Sequence, residues 1–336
     1  MPRCFCCAAR TRAARGVVSV ASVILAVALV GGLDDWREQP PGDSTGASPG
    51  RWASPHLPLP PLTPDVTEPV STGDPALDAA LRAMASANPR QMSPTQYSYL
   101  GRMLIQKGAR LRGCKLLVWG VGRDSHAWAT LNSGPDARTV FLEDNEAWAT
   151  WIKNKHPELD VRHVSFPTRM LQAGSLLKAV VEYEAASGDG AGWKGRPLVP
   201  PGAALMARTL PRGGLPLDIE SELWDVVVVD APGGTTDGWP KRVLAGAGRW
   251  LPLSLGYWLG LEALVSPGRM GSIWSSTELA RKAAATKTGH ATEVLVHDCE
   301  RWVERAYSTI ALGDEHTTVA GARVASTQAL MLHYTV

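Results

Sequence analysis

Residues 224–230 read Trp-Asp-Val-Val-Val-Val-Asp, and no other stretch constrains the fold of this chain as tightly. Four consecutive β-branched residues favour an extended strand. Successive side chains of a strand point to opposite faces, so an unbroken apolar run requires cover on both sides. Further strands are expected at Lys115–Trp119, Thr139–Leu142, Val161–Ser165 and Glu293–His297, with a terminal strand over Ala329–Val336. Helical patterns run from the turn after Trp119 through Trp128, over Asn145–Lys155 and over Glu300–Ile310. Upstream, Ala76–Ala87 has helical spacing, and Ser93 with Pro94 starts a second helix towards Arg112. Strands alternating with helices predict an α/β fold with a doubly wound, mostly parallel sheet. The composition, 45% hydrophobic and 20% charged, supports a sizeable core. A formal net charge of +2 gives no basic face of the kind nucleic acid demands.

The N-terminal end reads as an address. Arg3, Arg10, Arg12 and Arg15 precede an uncharged, mainly apolar segment, Gly16 to Leu33, and Asp34 and Asp35 follow it. Basic residues before such a segment favour a cytoplasmic tail (residues 1–15), a transmembrane signal anchor (16–33) and a lumenal remainder. A cleaved signal peptide is the competing reading. Residues 34–75 are rich in Pro, Ser, Gly and Thr and read as an extended stem, which leaves 76–336 as the folded domain. Anchor, stem and domain together are the layout of a single-pass type II Golgi membrane protein.

Doubly wound sheets bind ligands beyond the carboxyl ends of their strands. There the chain places Gly120-Val121-Gly122-Arg123-Asp124-Ser125, a turn whose glycines let the backbone approach a ligand at a helix N-terminus. Glu143 ends the next strand, 21 residues beyond Gly122, where an acid can accept hydrogen bonds from ribose hydroxyls. Ser125 stands where a dinucleotide fingerprint has its third glycine. An adenosyl group without a pyrophosphate tolerates that change, so S-adenosylmethionine is favoured over a nicotinamide cofactor. Asp230 follows the valine strand, ahead of Ala-Pro-Gly-Gly, and His297-Asp298 follows the next. Cys114 and Cys299 fall at opposite sheet edges and are expected to be free thiols.

These segments, in order, resemble one family, the plant glucuronoxylan 4-O-methyltransferases and their arabinogalactan-methylating relatives. The resemblance rests on residues 114–132, 138–148, 224–234, 267–274 and 293–301. It implies a Rossmann-like class I methyltransferase fold and a lumenal enzyme that methylates O4 of glucuronic acid in a polysaccharide or proteoglycan glycan. It assigns Gly120, Gly122 and Glu143 to the methyl donor, with Asp124 and Ser125 in the same turn. Asp230, His297 and Asp298 fall to the reaction centre, with Asp230 or His297 as base. It admits a divalent metal near Asp230 and Asp298, for which the sequence shows no ligand spacing of its own. Arg123 or Arg269 would pair with the uronate carboxylate. A second reading is a non-catalytic Golgi protein that assists polysaccharide synthesis. The chain departs from the family at Lys241–Ser266, an apolar insertion that is either a flap over the acceptor site or retained intron sequence.

Overall fold

In the computed structural model the valine strand lies at the centre of a seven-stranded sheet of order β3-β2-β1-β4-β5-β7-β6. The structure describes residues 62–88, 92–111, 113–169, 172–187, 204, 206–232, 268–286, 290–324 and 327–336. The tail, the anchor, the stem as far as residue 61 and the 241–266 insertion lie outside the described residues, as do Gly233 and Gly234. Among the described residues no helix is long and apolar enough to cross a membrane.

The strands are β1 (Lys115–Trp119), β2 (Arg138–Glu143), β3 (Asp160–His163), β4 (Val226–Val229), β5 (Glu293–Val296), β6 (Thr317–Val324) and β7 (Thr327–Thr335). β1 to β5 pair in parallel, whereas β7 runs antiparallel to both β5 and β6. The valines of β4 divide as the period of a strand demands. Val226 and Val228 enter one apolar layer and Val227 and Val229 the other. Each such side chain contributes roughly 1.5–3 kcal/mol by its burial.

On the Val226 side the sheet carries α1 (Pro75–Ala87), α2 (Pro94–Leu111), α3 (Ser125–Leu131) and α4 (Glu146–Lys155), through residues such as Leu81, Leu104, Trp128 and Ile152. The opposite layer holds α5 (Ala173–Ser187), the single turn α6 (Leu217–Glu220), α7 (Met270–Thr286) and α8 (Trp302–Leu312). The fold is the doubly wound, mostly parallel sheet expected. Local signals behave as read: the Gln96 N–H donates to Ser93 Oγ (3.2 Å), and the Ser93 N–H to Gln96 Oε1 (2.9 Å). That reciprocal pair caps α2.

Four elements, α5, α6, α7 and β6, carry no clear signal in the sequence. Residues 270–277 of α7 are buried without a break, so the helix shows no polar stripe to betray its period. The last part of the stem also behaves unlike a stem. The N–H groups of Asp65 and Val66 donate to Thr318 O, the Ala320 N–H donates to Val66 O, and the Val70 N–H to Ser98 Oγ. Residues 62–74 thus lie against the folded domain and cover part of the edge strand β6, whose free backbone groups would otherwise be exposed. Cys114 and Cys299 are free and buried.

Candidate functional site

The chain winds outward from β1 through β2 to β3 in one direction and from β4 onward in the other, which opens a crevice beyond the ends of β1 and β4. A cavity of about 450 Å³ sits there, lined by Gly120, Gly122, Asp124, Ser125, Glu143 and Asp230 among others. Gly120 has φ 106°, and a Cβ on it would stand 2.8 Å from the Ala231 Cβ. Only glycine lets the turn after β1 pack against the turn after β4. The Gly122 N–H donates to Ser125 Oγ at 2.9 Å, so the serine in place of a third glycine ties the turn.

Glu143 accepts from the Val121 N–H (3.2 Å) and the Asn145 N–H (2.9 Å). Burial nevertheless pushes its pKa up to about 7. Asp124 Oδ2 accepts from the Tyr97 hydroxyl at 3.0 Å, and the Tyr97 ring stacks on Trp128 with centroids 5.4 Å apart. Burial, and then the charge of Asp230, raise the Asp124 pKa. Trp148 donates its Nε1–H to Val121 O at 2.8 Å and forms part of the cavity wall. Tyr97 and Trp148 were not foreseen as site residues. Tyr97 shares its helical spacing with Leu100 and Leu104 and reads as core, and its hydroxyl partner is 27 residues away.

Beside the cavity the ends of β4 and β5 bring Asp230, His297 and Asp298 together. His297 Nδ1 lies 2.9 Å from Asp230 Oδ1 and 3.3 Å from Asp298 Oδ1. Burial alone would lower the imidazole pKa, but Asp298 and Asp230 outweigh it and hold His297 up at about 9. Asp298 adopts φ 61°, a left-handed conformation held by ion pairs to Arg269 (2.8 Å) and Arg301 (3.0 Å). Burial works against its charge, yet His297 and the two arginines keep its pKa well below the carboxylate range. Asp230 faces the cavity, whereas His297 and Asp298 are not in its wall.

The two arginines considered for a uronate part company. Arg123 is exposed at the cavity wall. Arg269 is buried and engaged by Asp230 and Asp298, so it is not on offer to a uronate. That pairing also bears on a metal. Asp230, His297 and Asp298 each offer a ligand atom within 4.8 Å of the others. However, their two carboxylates already pair with the guanidinium groups of Arg269 and Arg301, and His297 Nδ1 lies against both. A divalent ion binds through uncompensated oxygen charge. Much of the carboxylate charge is thus matched within the cluster, with Asp230 Oδ2 and His297 Nε2 outside those pairs.

For the methyl donor the residues fit. A cavity of this size, a glycine turn at the head of α3 and an acid at the end of β2 are the parts an adenosyl group needs. Sheet order, reversed β7 and the turn–acid pair together define a class I methyltransferase fold.

Residues 102–246 and 261–326 match the model of the IRX15/IRX15L/GXM family, and the chain belongs to it. The break in that match lies within the stretch read as an insertion. Glucuronoxylan 4-O-methyltransferase 1 of Arabidopsis thaliana is 34% identical over 58% of this chain and 54% of its own length. Arabinogalactan O-methyltransferase 2 of the same plant is 32% identical over 58% and 53%. Protein IRREGULAR XYLEM 15, also from that plant, is 32% identical over 57% and 47%. The chain spans about half the length of these curated relatives.

Proposed function

We propose that this chain is an S-adenosylmethionine-dependent O-methyltransferase acting on O4 of glucuronic acid in glucuronoxylan or arabinogalactan-type glycans. The observation that carries the reading is the convergence of Gly120, Gly122, Asp124, Ser125, Glu143 and Asp230 on one cavity at the switch point of the sheet. The names of its relatives support the acceptor class. We also propose that residues 16–33 anchor it in the Golgi membrane with the domain in the lumen, a reading supported by the basic residues before that segment.

When bound, the donor supplies an electrophilic methyl on its sulfonium. Glu143 accepts hydrogen bonds from the ribose, and the turn at Gly120–Gly122 lets the backbone come close to the donor. Holding donor and acceptor in line supplies proximity and orientation. A sugar hydroxyl is a poor nucleophile at neutral pH, so a base would take its proton as the C–O bond forms and the sulfonium S–CH3 bond breaks, leaving S-adenosylhomocysteine. Asp230 is that base, because it faces the cavity, whereas His297 is outside its wall and spends Nδ1 on Asp230. Arg123, at the cavity wall, meets the uronate carboxylate.

The test is incubation of the protein with labelled donor and a panel of uronic acid glycans. Methylation at O4 of glucuronic acid is the expected result. The second reading is a non-catalytic protein that assists polysaccharide synthesis, kept because Protein IRREGULAR XYLEM 15 is a relative whose name states no methyltransferase activity. Failure to bind S-adenosylmethionine or S-adenosylhomocysteine would select it.

A further inference from the structure

We propose that Arg269 is a positioning residue of the reaction centre, fixing the strand ends and the carboxylates around His297 in one arrangement; the inference rests on the methyl-transfer reading above. The guanidinium is buried, with only 4% of its side chain exposed, and makes five polar contacts. Nη1 donates to His297 O at 2.6 Å, Nη2 to Asp230 O at 2.7 Å, and Nε to Pro232 O at 3.3 Å. Nη2 also pairs with Asp298 Oδ2 at 2.8 Å and Asp230 Oδ1 at 3.4 Å. The three carbonyls lie just beyond the adjacent strands β4 and β5, and Arg269 itself immediately precedes α7.

One planar group therefore joins three elements. With Asp230 Oδ1 engaged by His297 and Arg269, the other oxygen, Oδ2, is left to take the acceptor proton. A lysine carries the same charge but presents it at one point, and cannot span acceptors on two strands. Geometry rather than charge alone is the role assigned.

The experiment compares the full chain with Arg269→Lys and Arg269→Ala. It measures initial rates of methyl transfer to a glucuronic acid oligosaccharide, and S-adenosylhomocysteine affinity by calorimetry. The Lys variant is expected to lose about 100-fold in kcat while donor-site affinity and acceptor KM stay within about threefold. Guanidinium ion added to the Ala variant is expected to restore kcat about tenfold. A Lys variant with unchanged kcat overturns the inference, and so does a joint fall of kcat and S-adenosylhomocysteine affinity. If neither variant folds, Asp298→Asn decides, because it deletes the 2.8 Å ion pair and keeps the guanidinium. A loss of about tenfold in kcat at unchanged affinity supports positioning, and an unchanged kcat overturns it. A wild-type chain that neither binds S-adenosylhomocysteine nor transfers methyl sinks the methyl-transfer reading itself, and the positioning role falls with it.

Discussion

The two halves of the site are built on opposite principles. The donor side is a cavity shaped by backbone: a glycine turn, two N–H groups on Glu143, and one on Ser125. The β4–β5 side is a knot of charge, in which Asp230, Asp298, His297, Arg269 and Arg301 pair with one another at 2.8–3.4 Å. A ligand can enter the first without displacing an ion pair. The second is set before any ligand arrives. Binding and chemistry should therefore separate under mutation, and the predictions below try to break that division.

Asp230→Asn is the sharpest. It should lower methyl transfer by about 10³-fold, the scale of a lost general base, with S-adenosylhomocysteine affinity by calorimetry close to wild type. Loss of donor affinity in this variant would merge the two halves. Gly120→Ala should do the reverse. The new Cβ meets Ala231 at 2.8 Å in a left-handed backbone. The cost should be about 1–3 kcal/mol of stability, read by denaturant titration, with donor affinity down roughly 100-fold, as ~3 kcal/mol of lost binding implies.

His297 tests the charge knot through pH. Its folded pKa, about 9, lies above the ordinary value of 6.5. Between those values the native state holds more protons than the unfolded one. The stability it contributes is complete below about pH 6.5 and is lost as pH rises through 9. Denaturation of the wild type should show a decline of roughly 3 kcal/mol across that window, and His297→Gln should flatten it.

Glu143 gives the smallest effect. Its pKa of about 7 means that raising the pH through neutrality frees a full carboxylate for the ribose hydroxyls. Donor affinity should rise severalfold from pH 6 to 8 in the wild type, about what one charge-assisted hydrogen bond contributes. Glu143→Gln should bind about tenfold more weakly and lose the pH dependence. An unchanged affinity would remove Glu143 from the donor site.

How much of this was legible beforehand differs between the two halves in the same way. The valine strand, the glycine turn and the acid after β2 announce themselves in sequence, because period, φ and strand-end position are local properties. Five parallel strands and the cavity-lining residues followed from them. Four things were decided only by tertiary contact. Residues 62–74 left the stem to cover β6, and the first half of α7, residues 270–277, hid its period by being buried all round. Arg269 turned inward rather than towards a uronate. The pKa of His297 is raised because two carboxylates, one of them 67 residues away in sequence, closed around it. Backbone shape is written residue by residue, whereas the charge state of a side chain depends on neighbours that only folding assembles.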